Sequence, residues 1–368
     1  MMLPGIPNNS SLTITNFTMK TTVLKISSCF ILSILVVAGL FAWSRQKTRK
    51  DNGFYRLLPP HPAIKLKAMD LEYNSYYVTG TDKEVVYLSN YTAPLHLVKV
   101  SLPDLDTTQI QLRVDTPDMR FRKNTEVAVR PPYFYLMDGV TPMLKRGKLG
   151  EWTARDFMYN EAYFSTAVPF GSASLFIDAL SNKTKERSLG IETDTESHVR
   201  LVPEVLEKQL DGIFCTNGKM LYNRELHQMV YVYYYRNQYI VTDTTLAVQY
   251  RAHTIDTISR VRIKTGTIND GKTKKLASPP YVVNNNGATS GNFLYVQSNL
   301  MAKNEKPEDF EHKTVIDVYD LVRQSYAFSF YLPPYREQRV SRFYVTGEYL
   351  LAIHGQHLVL YRLYNEFT

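Results

Sequence analysis

Short runs of β-branched, aromatic and leucine residues, separated by turn residues, fill the chain from about residue 73 nearly to its end. The sequence Tyr-Val-Thr-Gly occurs twice among them, at 77–80 and at 344–347. Two further strand-like runs follow each copy at the spacing of tight turns, which predicts a three-stranded meander in both places. A similar β unit at the two ends of a strand-rich segment is typical of a β-propeller, in which sheets are repeated around an axis.

Turn residues divide these runs into six groups, and we therefore predict an all-β domain that folds as a six-bladed β-propeller. The predicted blades are 76–102, 126–149, 163–191, 212–253, 281–332 and 340–363. Helical periodicity is nearly absent from this part of the chain. The exception is 202–210, where Pro203 suits the first turn of a helix.

The N-terminal part has a different pattern. Residues 26–43 carry no charge and are mostly apolar, and a basic stretch, 45–50, follows them. This length is near the lower limit for a helix that crosses a bilayer core of roughly 30 Å, and Trp43 beside basic residues is a usual interfacial anchor. A cleaved signal peptide is the alternative, with Ala38-Gly39 as its candidate cleavage site.

These patterns predict four segments along the chain. They are a disordered N-terminal tail (1–22), one transmembrane helix (23–44), a basic and proline-containing linker (45–69) and the propeller (70–368). Basic residues flank both ends of the apolar segment, so positive charge does not decide its orientation. An N-terminal span before a large domain most often exports that domain, which favours a periplasmic propeller and leaves a cytoplasmic one open.

The distribution of charge along the chain limits which partners the sequence predicts. The chain has a net charge of +8, but residues 1–50 contain six Lys and Arg and no acidic residue, which leaves +2 for the rest. Nucleic-acid binding needs a concentrated basic surface, and a nearly neutral domain does not predict one. The 27 Tyr suit sheet faces that pack on each other with a polar tip at the edge. Expected partners are the membrane, through one helix, and a protein or a small polar ligand.

Two polar segments are candidate ligand sites. Arg120, Arg122 and Lys123, with Arg130 nearby in sequence, form a basic cluster that suits an anion or, alternatively, a solvated strand edge. Asn285 and Asn286 belong to a glycine-bearing segment, 284–292, between two strands. A loop there would offer backbone groups to a ligand on a propeller face.

Enzyme motifs are missing from the sequence: it has no P-loop, GxGxxG, HExxH or GxSxG pattern. His354 and His357 are spaced like metal ligands, but the Gly-Gln pair between them predicts a hairpin turn. The acidic run 192–196 lacks the glycine and final Glu of a calcium loop, so we expect a solvated loop. No metal and no cofactor is predicted. Cys215 has no neighbouring thiol or base and is expected to be a buried structural residue.

The pattern Val-Ile-Asp-Val-Tyr-Asp-Leu at 315–321, followed by strand-like runs at 327–332 and 343–353, resembles the six-bladed propellers abundant in Bacteroidota. Those of this type are uncharacterised, membrane-anchored proteins. The resemblance implies a propeller fold in a bacterial envelope, and it brings no catalytic residue with it.

Two hypotheses of function follow. The first is a membrane-tethered binding or scaffolding module of the bacterial envelope, which needs no catalytic group. The alternative is a propeller enzyme of the hydrolase, lyase or dehydrogenase type. Its site would lie at the central channel and collect acidic or histidine side chains from several blades.

Overall fold

The computed structural model describes residues 11–50, 53–115, 124–158, 162–195, 198–268 and 273–364. The chain divides into two compact units, Met1–Gly53 and Phe54–Thr368. The first contains helix α1 (Ser11–Lys50), which begins inside the segment expected to be a tail. Its stretch Thr22–Phe41 is long and apolar enough to cross a membrane, a property that N-terminal signal sequences share.

The regular structure of the second unit is almost all β, and every strand pair except β6 with β10 is antiparallel. The first ten are β1 (Ala63–Asp70), β2 (Tyr76–Asp82), β3 (Val85–Asn90), β4 (Ala93–Ser101), β5 (Asp106–Gln111), β6 (Arg113–Val114), β7 (Glu126–Arg130), β8 (Tyr133–Asp138), β9 (Met143–Lys148) and β10 (Thr153–Asp156). The next ten are β11 (Thr166–Gly171), β12 (Ser174–Leu180), β13 (Arg187–Thr193), β14 (Val199–Val202), β15 (Gly218–Asn223), β16 (Gln228–Tyr233), β17 (Gln238–Thr242), β18 (Val248–His253), β19 (Thr265–Ile268) and β20 (Thr273–Leu276). The last seven are β21 (Asn284–Ser290), β22 (Phe293–Ser298), β23 (Thr314–Asp320), β24 (Ser325–Leu332), β25 (Arg342–Thr346), β26 (Tyr349–His354) and β27 (His357–Leu363).

All of these strands except β19 and β20 form six sheets around an axis, so the predicted six-bladed propeller is confirmed. Blade 1 has the order β2-β3-β4-β5, blade 2 has β7-β8-β9-β10 with β6 added at its edge, and blade 3 has β11-β12-β13-β14. Blade 4 has β15-β16-β17-β18, and blade 5 has β21-β22-β23-β24. A separate hairpin, β19-β20, lies in the connection between blades 4 and 5. Each predicted blade falls within one of these sheets.

The strand nearest the N terminus of the propeller closes the ring. β1 pairs antiparallel with β27, from Ala63 opposite Leu363 to Asp70 opposite His357. Blade 6 therefore has the order β25-β26-β27-β1 and joins both ends of the unit in one sheet. Residues 63–69 belong to this sheet and not to the linker predicted for 45–69, because their pairing with β27 completes the blade.

Neighbouring blades pack through apolar clusters, one at each of the six interfaces. Tyrosine hydroxyls add hydrogen bonds across them. The Tyr77 hydroxyl of blade 1 accepts from the backbone N–H of Val127 in blade 2 at 2.8 Å. The Tyr250 hydroxyl of blade 4 donates to the carbonyl oxygen of Leu321 beside blade 5 at 2.7 Å. Tyrosine thus provides apolar area for the interface and a polar tip that satisfies main-chain groups at its rim.

The two Tyr-Val-Thr-Gly copies do not occupy equivalent positions in their blades. Gly347 lies in the turn between β25 and β26 with φ of 52°, and Lys83 has the same φ in the corresponding turn of blade 1. Gly80 lies instead inside β2, beside a register shift. A Cβ at Gly80 would be 2.0 Å from the carbonyl oxygen of Val129. The two copies of Tyr-Val-Thr-Gly therefore do not align when the two blades are compared strand by strand. Each copy does lie in or at the end of the first strand of its blade.

The helix predicted at 202–210 is reduced to one 3-10 turn, Pro203–Val205. Val205 is fully buried in the cluster between blades 3 and 4, so tertiary packing fixes this segment. A short helix that the sequence did not predict, α2 (Pro307–His312), lies in the connection from β22 to β23. The predicted hairpin between His354 and His357 is confirmed, since these residues face each other at the ends of β26 and β27.

Glu192 also differs from expectation. The acidic run was expected in a solvated loop, yet Glu192 is fully buried in β13. Both of its carboxyl oxygens are buried without a hydrogen-bond partner. Loss of hydration raises the pKa of Glu192 to about 7.

A buried arginine fixes the chain before β1 to blade 5. Arg56 donates from Nε to Oδ1 of Asp317 at 2.7 Å and from Nη2 to Oδ2 at 2.9 Å. A third donor, Nη1, binds Glu305. Next to it, the carbonyl oxygen of Leu57 accepts from the backbone N–H of Ser329 at 2.8 Å. This part of the predicted linker therefore has a defined place on the propeller, and we refer to these contacts as the Arg56 clamp.

Candidate functional site

The first strand of every blade lines the central channel. β2, β7, β11, β15, β21 and β25 surround a cavity of about 290 Å³. We define the upper end of the channel as the end at which these six strands begin. A second hollow lies at this end and shares Glu126 and Arg342 with the channel cavity.

Charged side chains of the described residues reach the cavity from alternate blades only. Blade 2 contributes Glu126 and Arg130, blade 4 contributes Lys219 and Arg224, and blade 6 contributes Arg342. Blades 1, 3 and 5 contribute aromatic, apolar, hydroxyl and amide residues. Because six blades divide the circle into steps of about 60°, the charges approach the axis from three directions about 120° apart.

Three of these charges form the upper triad: Glu126, Lys219 and Arg342, each at or next to the start of its strand. Glu126 and Lys219 are half-buried. Neither side chain forms a hydrogen bond or an ion pair within the part of the chain that the structure describes. Two opposite charges therefore share one cavity without touching each other.

The electrostatics of the upper triad reflect this isolation. Burial raises the pKa of Glu126, and the positive charges of Lys219 and Arg342 only partly oppose the shift. Burial lowers the pKa of Lys219, although the Glu126 carboxylate acts in the other direction. Both shifts have the sign expected of groups that have lost water without gaining a bonded partner.

The third member of the triad is held by aromatic rings. The Arg342 guanidinium lies 4.7 Å from the ring centre of Tyr91 and donates to its hydroxyl. Tyr91 stacks on Tyr77 with ring centres 4.2 Å apart. Since Tyr77 is bonded to the backbone of blade 2, Arg342 has a fixed position at the junction of blades 6 and 1.

The lower end of the cavity contains two arginines, Arg130 and Arg224, which we call the lower pair. The Arg130 guanidinium lies 4.6 Å from the ring centre of Tyr222. Arg224 donates from Nη1 to the carbonyl oxygen of Thr81 at 3.3 Å. This side chain thus extends from blade 4 across the channel to blade 1, on the opposite side of the ring. Burial lowers the pKa of Arg130, and the positive charge of Arg224 lowers it as well.

The predicted site residues have different outcomes. Arg130 and Asn286 line the channel, so Arg130 is not on a solvated strand edge. The segment 284–292 is the strand β21 and the turn after it, and not a loop, because its residues pair with β22 to complete blade 5. Asn285 is exposed at a register shift and lies outside the channel lining. Arg120, Arg122 and Lys123 lie outside the described residues.

Sequence reasoning missed the upper triad and Arg224. The available signal was a charge at the start of the first strand in blades 2, 4 and 6. Such a charge lines the channel only if the strand is the innermost of its blade, and the run of strand-like segments does not reveal which strand that is. Among the described residues, no group of three or more His, Cys, Asp and Glu is placed to hold a metal ion.

No protein-family model and no curated protein sequence matches the chain. Among solved structures, a member of the DUF4221 family from Bacteroides vulgatus is similar over 86% of this chain and 99% of its own, with a TM-score of 0.51 and 13% identity. A catalytically inactive virginiamycin B lyase from Staphylococcus aureus has a TM-score of 0.47 and 10% identity over 82% of this chain and 100% of its own. A Bacteroides thetaiotaomicron protein of unknown function has a TM-score of 0.44 and 9% identity over 85% and 72%. The first likeness supports the fold and agrees with the resemblance to Bacteroidota propellers; identities this low transfer no function.

Proposed function

We propose that this chain is a membrane-tethered binding module that takes a small zwitterionic ligand into the upper end of its propeller channel. The observation that carries the proposal is the pair Glu126 and Lys219, two opposite charges half-buried in one cavity without bonded partners among the described residues. Removing a charge from water is costly unless another group compensates it. A ligand that brings one charge of each sign would compensate both.

The upper triad suits such a ligand in number and sign. A carboxylate would lie between Lys219 and Arg342, and an ammonium group would face Glu126. Arg342 is already held by Tyr91, so little of its side-chain freedom is lost on binding. Preorganised groups of this kind raise affinity because less entropy is lost when the complex forms.

The composition of the lining supports binding over the enzyme alternative. Glu126 is the single carboxylate among the described residues that line the channel, and none of these lining residues is a histidine. Hydrolases and lyases of the acid–base type need a proton acceptor and a proton donor at the reacting bond, most often His, Asp or Glu. Recognition of a charged ligand needs neither.

Helix α1 supports the tether. Its stretch Thr22–Phe41 has the length and apolarity of a membrane span, and the basic segment after it suits an interfacial anchor. A fusion of alkaline phosphatase after Thr368, with a separate fusion of a reporter that is fluorescent only in the cytoplasm, tests the location. Phosphatase activity in the membrane fraction is expected for an exported, anchored propeller. Fluorescence, or activity in the soluble fraction alone, would contradict the periplasmic tether.

The binding site itself is tested on the full chain purified in detergent. We expect thermal-shift screening against the common L-amino acids and betaines to find a stabilising zwitterion, which isothermal titration then quantifies. E126Q and K219M should each weaken its binding by about tenfold or more, because each leaves one charge of the ligand unpaired. K67M is the matched control, since Lys67 forms an exposed ion pair with Asp104 away from the channel. Unchanged affinity in both channel variants would contradict the proposed site.

A further inference from the structure

We infer that the lower end of the channel is a separate binding site for a tetrahedral oxyanion, such as inorganic phosphate or sulfate, held by Arg130 and Arg224. This inference does not rest on the proposed function of the upper end, because different side chains carry it. The site takes either a free anion or the phosphoryl or sulfo group of a larger molecule, since the chemistry of recognition is the same.

The lower pair carries positive charge that no carboxylate among the described residues compensates. Neither member of the lower pair forms an ion pair with a carboxylate within the described residues, and the cavity lining at this end contains no acidic residue among them. Glu225 follows Arg224 in sequence but is exposed and bonded to neither arginine. Two guanidinium groups that influence each other in a partly buried cavity favour a bound anion.

The polar side chains at the lower end start from different positions around the ring. Arg130 comes from blade 2, Tyr222 and Arg224 come from blade 4, and Tyr344 comes from blade 6. These side chains start on alternate blades, and the Arg224 guanidinium extends across the axis to Thr81 of blade 1, so that donors lie on several sides of the lower end of the channel. The oxygens of a tetrahedral anion point in several directions and suit donors on several sides, whereas a carboxylate offers its acceptor positions in a single plane.

Both arginines of the lower pair are already placed at the channel before an anion binds. Tyr222 lies beneath the Arg130 guanidinium at 4.6 Å, and this contact keeps the charge at the channel. The 3.3 Å bond from Arg224 to Thr81 is long for an N–H···O bond, so Arg224 loses little when it turns toward an anion. Arginine also suits this role because it stays charged and is more weakly hydrated than lysine.

The experiment compares anions on the full chain in detergent at matched ionic strength. Sodium phosphate, sulfate, acetate and chloride are tested by thermal shift, and phosphate is then titrated by calorimetry. We expect phosphate and sulfate to raise the unfolding temperature above its value in acetate and chloride. R130Q and R224Q should each weaken phosphate binding by about tenfold or more, as expected when one of two charge-assisted contacts is removed. Arg224 is exposed, so R224Q will fold.

Matched variants locate the anion. K219M, which removes a positive charge at the upper end of the same channel, should leave phosphate binding unchanged. R130K, which keeps the charge but loses the planar guanidinium, should retain part of the affinity. Tighter binding of glycerol phosphate, which has neither an ammonium nor a carboxylate group, than of inorganic phosphate, lost in R224Q, would support the site and identify its ligand as a phosphorylated molecule.

Three outcomes would overturn the inference. Equal stabilisation by phosphate and chloride would mean a general salt effect. Equal stabilisation by phosphate and acetate would mean a site without preference for a tetrahedral anion. Phosphate binding that survives in R130Q and R224Q but is lost in K219M would mean that the anion occupies the upper end.

Discussion

Glu192 has an environment that the unfolded chain does not offer. Its carboxyl group is fully buried without a bonded partner, and its pKa rises from an ordinary value of 4.5 to about 7. Between these two values the folded state holds a proton that the unfolded state has released. The contribution of Glu192 to the free energy of unfolding therefore falls as the pH rises through this interval and is lost by about pH 8.

We predict that E192Q removes this pH dependence. The amide has the shape of the protonated carboxyl but does not titrate, so the decline in unfolding free energy between pH 5 and pH 8 should shrink by about 2 to 3 kcal/mol. Urea titrations at several pH values measure the effect. The control is E151Q at an exposed turn position, which should leave the slope unchanged. Equal slopes in E192Q and the original chain would mean that Glu192 is ionised in the fold.

Single residues were the hardest part to predict from the sequence. Glu192 stands in a run of acidic and hydroxyl residues whose composition is that of a solvated loop, and only the pairing of β13 on both sides reveals its burial. The same holds for Lys219 and Arg342, since a charge at a strand end is common and becomes informative only when its strand is known to line the channel. Asn286 was expected to meet a ligand from a loop. It lines the channel because it belongs to the strand β21.

At the scale of the elements, Gly80 and Gly347, the glycines of the two Tyr-Val-Thr-Gly copies, should respond differently to substitution by alanine. Gly80 is packed against the main chain of the next blade, where an added Cβ would lie 2.0 Å from the carbonyl oxygen of Val129. Gly347 has open space around it and a φ of 52°. The first position is limited by space, and the second by backbone conformation.

We predict that G80A lowers the unfolding free energy by about 3 kcal/mol or more, because a backbone carbonyl cannot move aside as a side chain would. G347A should lower it by only about 1 kcal/mol, the usual cost of a left-handed conformation for a residue with a Cβ. Equilibrium denaturation of the two variants measures both values. Similar losses in the two variants would contradict the difference in packing.

The strands and their turns were predictable because apolar runs and turn residues indicate the same boundaries. Turn residues between apolar runs identified all six blades, and the Gly-Gln pair between His354 and His357 identified a hairpin. The local rules failed where tertiary pairing overrides them. The polar, glycine-bearing segment 284–292 forms the strand β21 because the neighbouring strand β22 offers it a complete ladder.

At the scale of the whole molecule, stability depends on one strand. β1 joins the beginning of the unit to its end, so it stabilises the ring beyond its own contacts. We predict that residues 54–368 unfold in a single transition at nearly the temperature of the full chain. Residues 63–368 should unfold at a lower temperature because the Arg56 clamp is lost, and residues 71–368 at the lowest, because β27 then has an open edge.

Thermal unfolding of these three fragments, followed by light scattering, measures the series. The loss of β1 should also cause association between molecules, since an unpaired edge is a template for pairing with another chain. A fragment 71–368 that stays monomeric and unfolds like 54–368 would contradict the role of β1. The sequence could not predict this closure, because β1 carries alternating lysines and lies after prolines, which is the pattern of a linker.

The Arg56 clamp also has a mechanical meaning. A pulling force applied to the chain at Gly53 reaches the buried guanidinium and its two carboxylates before it reaches Ala63, the first residue of β1. Those bonds resist as a group, and the closing strand is shielded until they fail. A force applied to the chain before Phe54 is therefore transmitted to blade 5 through the Arg56 clamp, and the pairing of β1 with β27 that closes the ring is protected from it.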